Sequence, residues 1–175
     1  IMPLGSAALA GSGFPLDRNS LKDGLGFDAI SDNSMDGVLS RDFILEFLSN
    51  VSILSLTLSR FAEDFIIFTN ENFNYFELSD KVTTGSSIMP NKKNPDGLEL
   101  TRGKSGRIIG SFIGLFTVLK GLPSTYNKDL QEDKEKLFDA IETINDMLLV
   151  NVILLDNLKI NKEIVANSID QLSFA

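Results

Sequence analysis

The residues best suited to chemistry lie between 85 and 96, which read GSSIMPNKKNPD. Two adjacent hydroxyls, Ser86 and Ser87, follow a glycine. A serine hydroxyl is a weak base and a weak nucleophile until its surroundings activate it. Gly85 supplies the backbone freedom that an ordered but mobile loop needs. Pro90 and Pro95 push their predecessors, Met89 and Asn94, toward extended backbone. In such a stretch Lys92 and Asn94, two positions apart, face the same way. A cation and an amide donor on one side can hold a carboxylate or a developing oxyanion. The residues alone leave Ser86 and Ser87 as equal candidates.

Lys92, Lys93, Arg102, Lys104 and Arg107 crowd this loop and the segment after it, opposed between 92 and 107 only by Asp96 and Glu99. In a chain of net charge -8 that marks a local anion site. The same composition suits a solvated Gly/Ser/Pro loop with surface lysines, and the cluster alone names no reaction. A second unusual run is KGLPSTYNKDLQEDKEK, residues 120–136. Tyr126, Asn127 and Lys128 lead into a helix start, where Gln131 and Lys134 lie one turn apart and can share a face. A helix N-terminus with donors nearby favours an anion. Taken alone, the run reads more simply as a charged, well-capped helix start.

Two apparent motifs carry no chemistry. GLELTRGKS resembles a phosphate-binding loop, but five residues rather than four separate Gly97 from Gly103, and the segment reads as helix. Asn50 opens an NVS glycosylation sequon inside an apolar helix, where chance explains it.

The elements that must position these residues read as helices. Residues 1–39 are rich in Gly, Ser, Asp and Pro and read as loop and short helices. From Ser40, a plausible N-cap, apolar residues at 43, 44, 47, 48, 51, 54, 58, 61, 62 and 65 follow helical spacing. Ile53, Leu56 and Ile66 fall off that stripe, which predicts a helix buried among others. Residues 70–95 read as a connector. A second helix opens near Asp96, with Glu99 at capping-box spacing. Its face is Leu98, Ile108, Ile109, Phe112, Leu115, Phe116 and Leu119, and it ends where Gly121 can turn left-handed and Pro123 blocks continuation. Asp129 and Glu132 repeat the capping spacing before a third helix with Leu137, Ile141, Ile144, Leu148 and Leu155 on its face. Near Asn161 it gives way to a shorter helical segment. The expected class is all-α, with helices too apolar for a lone bundle of 175 residues and completed by other chains.

Composition narrows the function classes. The apolar share of 43% suits a globular fold. An acidic chain is a poor non-specific partner for nucleic acid or membrane. The absence of cysteine removes disulfides and thiolate chemistry and permits a cytoplasmic setting. The absence of histidine removes the usual general base and the commonest metal ligand, so proton transfer must use other groups or borrow a histidine from elsewhere. The start lacks a basic leader and does not read as a signal peptide, and no stretch has the apolar length of a transmembrane helix.

GSSIMPNKKNPD resembles the signature loop of the fumarase/aspartase superfamily of lyases. LELTRGKSGR followed by LKGLPSTYNKDLQEDKE is similar to its argininosuccinate lyase branch, which includes lens delta-crystallins. PLGSAALAGSGFPLDR and NSMDGVLSRDFILEFL agree, so the resemblance spans nearly the whole chain. It implies an all-α fold in which long helices from four subunits form a central bundle and each active site draws on three chains. It implies reversible elimination of argininosuccinate to arginine and fumarate, without metal or organic cofactor. Carried over by position, Ser86 is similar to the catalytic loop serine, the base. Lys92 and Asn94 match the groups that stabilise the carbanion's carboxylate. Glu99 matches a carboxylate that orients a histidine of another chain. Tyr126, Gln131 and Lys134 match substrate-binding positions, and Arg41 matches an arginine of the active-site region. The family's catalytic histidine lies in a segment before this one. The expectation is therefore an internal piece of a longer lyase: residues 1–175 belong to the central helical domain, the C-terminal domain starts near 160–175, and the N-terminal domain is absent. Rival expectations are a crystallin-like relative without activity, or a superfamily lyase acting on another succinyl substrate. STYNKDLQEDKE argues against adenylosuccinate or aspartate.

Overall fold

The computed structural model describes residues 1–89 and 92–169. Pro90 and Asn91, and the end of the expected 160–175 domain start, lie outside the described residues. The chain is helical, with α1 at Arg18–Gly24, α2 at Ser34–Leu39, α3 at Asp42–Thr69, α4 at Asp96–Leu119, α5 at Glu132–Asp156 and α6 at Lys162–Ser168. Two short strands, β1 at Phe76–Leu78 and β2 at Leu158–Ile160, pair antiparallel with Glu77 opposite Lys159. Three-residue strands carry too little alternation to be read in sequence. No helix among the described residues is long and apolar enough to cross a membrane.

The chain divides into two compact units. One comprises residues 1–48 and 111–138. Its N-terminal segment is fixed by Met2, fully buried, whose backbone bridges to Ala29 and Ser31 at 2.7 and 2.9 Å. Gly5 adopts φ +91°, and a side chain there would collide with Arg18, which donates to the Leu4 and Ser31 carbonyls, each at 3.0 Å. Asp17 caps α1 by accepting from the Asn19 and Ser20 N–H groups, both at 3.1 Å. Those bonds, and the Ser20 hydroxyl above all, hold its carboxyl below the ordinary aspartate value. Ser40 is not the N-cap of the long helix. It closes α2, its N–H bonding the Asp36 carbonyl at 2.9 Å, and the Arg41 carbonyl accepts the first bonds of α3 from Ile44 and Leu45.

The second unit comprises residues 49–110 and 139 onward. Ala62 of α3, Leu78 of β1, Leu98 of α4 and Leu154 of α5 form its core, with Phe65, Ile66, Val82 and Leu158 packed against them. Truncating a fully buried leucine such as Leu98 to alanine costs about 2–5 kcal/mol. An aromatic run continues this core, with Phe65 stacked on Phe76 at 4.9 Å and Phe68 edge-on to Phe76 at 5.7 Å. Each such pair adds about 0.5–1.5 kcal/mol beyond its burial.

The helices fall where their periodicity puts them, but their caps and buried faces differ. Asp96 is the first helical residue of α4 and not its cap, because Pro95 supplies the accepting carbonyl for Leu98 and Glu99. Asp129 sits in a 3-10 turn, Lys128–Gln131, that precedes α5. Gly121 does not turn left-handed; a tight bond from the Leu122 N–H to the Leu119 carbonyl closes α4 at 3.3 Å. The buried column of α4 is Leu98, Thr101, Ser105, Ile108, Ser111 and Leu115, so half of it is small polar side chains. On α5 the buried residues are Asp133, Ala140, Thr143, Ile144, Met147, Asn151 and Leu154. Of the apolar face expected there only Ile144 is buried, and Leu148 and Leu155 are exposed.

Candidate active site

The loop from Thr84 to Asn94 is closed at its base. Thr84 and Asn94 exchange both backbone hydrogen bonds, at 3.2 and 2.8 Å, and the Thr84 hydroxyl bonds the Asp96 carboxylate. Within the loop, Ser86 and Ser87 are not equivalent. The Ser86 oxygen accepts the N–H groups of Ile88 and Met89, at 3.2 and 3.3 Å, and is half-buried, whereas Ser87 is exposed. Two backbone donors on one hydroxyl oxygen favour its charged, alkoxide form. Ile88 and Met89 themselves are exposed apolar side chains on the same loop.

The five cations of this region do not act as one anion site. Lys93 pairs with Asp80 at 2.7 Å and approaches Glu77 at 3.9 Å. The hydrogen bond and charge of Asp80 hold Lys93 above the ordinary lysine value. Arg102 pairs with Glu63, and Arg107 forms a two-point bond to Asp139 that raises the guanidinium further. The neutralising carboxylates come from other elements, so local sequence could not reveal them. Among the described residues, Lys92 and Lys104 form no ion pair. Lys92 is exposed, Asn94 is half-buried at the loop base, and Glu99 is exposed on the first turn of α4.

Arg41, Tyr126, Gln131 and Lys134 belong to the unit formed by 1–48 and 111–138. There the Gln131 amide donates to the Tyr126 hydroxyl at 3.3 Å. Arg41 Nε meets Asp133 Oδ2 at 2.5 Å, and Lys134 Nζ meets Asp133 Oδ1 at 3.2 Å. Arg41 Nη1 donates to the Val38, Leu39 and Ser40 carbonyls at the end of α2, at 3.2, 3.4 and 3.0 Å. Sequence reasoning missed Asp133, one acid in the run QEDKEK, because its burial is set by Arg41, 92 residues away. It also missed Thr84 and Asp80, which fix the loop base and occupy Lys93. Ser86, Lys92, Asn94 and Glu99 lie in the other unit.

A family model described as lyase matches residues 1–110, and the chain belongs to that family. Within it, the chain is similar to argininosuccinate lyases. That of Listeria monocytogenes is 57% identical over 168 residues, covering 96% of this chain. That of Caldicellulosiruptor bescii is 57% identical over 166 residues, covering 95% of this chain and 36% of the relative. The chain spans 37% of the length of the Listeria enzyme. Among solved structures, an EDDS lyase in complex with formate is 31% identical, with a TM-score of 0.75 over 93% of this chain and 32% of the other.

Proposed function

We propose that the protein carrying this chain is an argininosuccinate lyase, splitting argininosuccinate reversibly into arginine and fumarate. The observation that carries the reading is Ser86, its oxygen held by two backbone N–H groups on a loop tied shut at its base. The identity of 57% to the Listeria enzyme supports the choice of substrate. In this reading Ser86, as alkoxide, takes the proton from the carbon beside a substrate carboxylate. The electron pair moves into that carboxylate, whose added charge is met by the Lys92 ammonium and the Asn94 amide. The pair then returns to form the carbon–carbon double bond of fumarate as the carbon–nitrogen bond breaks, and the nitrogen leaves with arginine. The proton for that nitrogen comes from a histidine of another segment, oriented by Glu99, since this chain contains none. Tyr126, Gln131, Lys134 and Arg41 bind substrate.

The chain in this reading forms part of the central helical domain, with the C-terminal domain starting near 160–175. Four copies assemble, three of them contributing to each site, in the cytoplasm and without metal or organic cofactor. Exposed apolar residues on α3, α4 and α5 support the assembly. The test is fumarate absorbance on mixing full-length protein with argininosuccinate. Steady release is expected. A folded protein that releases none would point to a crystallin-like relative or to another succinyl substrate.

A further inference from the structure

We propose that Asp133 is a positioning residue of the substrate site, whose carboxylate sets Arg41 and Lys134 side by side as a two-cation clamp for a substrate carboxylate. The inference rests on the lyase reading and deepens it by naming a residue to which that reading gives no role. Asp133 is 3% exposed, so its charge must be matched. Both of its oxygens are used: Oδ2 takes Arg41 Nε at 2.5 Å and Oδ1 takes Lys134 Nζ at 3.2 Å. Arg41 is gripped from its other side by three carbonyls at the end of α2. Among the described residues Nη2 makes no hydrogen bond, which leaves it as the guanidinium edge that can meet a ligand. Lys134 is otherwise a solvated lysine with its side chain 64% exposed. With the lysine side of the pair this open to water the contact adds little to stability, so fixing the Lys134 ammonium matters chiefly for where it points. Two cations on one carboxylate leave a net positive charge, and both are held before substrate arrives. Such pre-organisation lowers the ordering cost of binding.

A carboxylate in the first turn of α5 would also stabilise that helix through its dipole, a role that has no bearing on substrate. The experiment separates the two roles. In the full-length protein, kcat and KM for fumarate release are measured with the thermal midpoint for Asp133→Asn, Asp133→Glu, Lys134→Ala and the Asp133→Asn/Lys134→Ala double variant. The clamp predicts that Asp133→Asn raises KM about tenfold or more with kcat within about threefold of wild type. Asp133→Glu, which keeps the charge, should recover part of the loss. Lys134→Ala should raise KM less in the Asp133→Asn background than in wild type, because the two act as one unit. A folded Asp133→Asn protein with unchanged KM, losing only thermal midpoint and active fraction, overturns the proposal. If Asp133→Asn does not fold, Asp133→Glu decides alone: a raised KM supports the clamp and an unchanged KM overturns it. A wild-type protein that releases no fumarate removes the lyase reading and the clamp with it. An active wild type with insensitive KM removes the clamp alone.

Discussion

A serine acts as a base only where its oxygen is a better home for negative charge than it would be in water. In the proposed reading Ser86 draws on two N–H donors from its own loop, while Ser87 beside it is exposed. We therefore expect Ser86→Ala to lower kcat by about a thousandfold or more with substrate binding retained, and Ser87→Ala to cost less than about tenfold. Steady-state fumarate release and calorimetric binding check this. A loss of only a few-fold in Ser86→Ala would move the role to Ser87. The neighbouring lysines divide in the same way. Lys93 is occupied by Asp80 and stays charged through the neutral range, whereas Lys92 has no acidic partner among the described residues. Lys92→Ala should lower kcat/KM about a hundredfold and Lys93→Ala by less than about threefold, each read from initial rates. Equal effects would mean that the Lys93–Asp80 pair opens when substrate binds. At this scale the loop was legible, because Gly-Ser-Ser with two prolines and two lysines is an unusual string. Which serine and which lysine act was not, because that depends on hydrogen bonds and carboxylates supplied by the folded chain.

At the scale of elements, periodicity located the three long helices but misjudged what they bury. The buried positions of α4 and α5 include Thr101, Ser105, Ser111, Thr143 and Asn151. A reading that equates burial with apolar side chains passes over these. Small polar residues suit such positions because their hydroxyls bond back to their own helix, as Thr101 does to the Gly97 carbonyl at 2.8 Å. Asn151 of α5 then donates to Thr101 at 3.0 Å and to the Met147 carbonyl at 2.7 Å. At Gly97 the side chains of α5 approach α4 closely, since a Cβ there would lie 3.1 Å from a Leu154 methyl and 3.2 Å from a Val150 methyl. Two opposing terms meet at Gly97→Ala, a gain of about 1 kcal/mol in helix propensity and a comparable cost of displacing two methyls. A branched side chain removes the ambiguity. Gly97→Val should destabilise by about 1–3 kcal/mol, read as a lower denaturation midpoint at unchanged slope. A midpoint equal to wild type would mean that α5 shifts freely and that the contact does not define the helix pair.

At the scale of the molecule, the helices present apolar side chains that the described residues do not cover. Leu56 of α3, Ile113 of α4 and Leu149 of α5 are 53%, 54% and 61% exposed, and several neighbours on each helix are exposed too. Leaving a large aliphatic side chain in water forgoes about 1.5–3 kcal/mol that burial would supply. A dozen such residues outweigh the usual cost of association, so the chain should not persist as a monomer. The chemistry imposes a separate requirement. With no histidine, the chain has no ordinary donor for the nitrogen that leaves, and the proposed site draws that group from other segments. These requirements separate experimentally in the 175-residue chain prepared alone. Light scattering should report a species well above 19.2 kDa, because the apolar surfaces seek one another whatever the site contains. The same sample should give no fumarate from argininosuccinate at any concentration. A monomer would mean that the exposed faces are tolerated in water and would withdraw the support they lend to assembly. Fumarate from the pure chain would mean that Ser86, Lys92 and Asn94 suffice for elimination, and would end the argument that the site is shared.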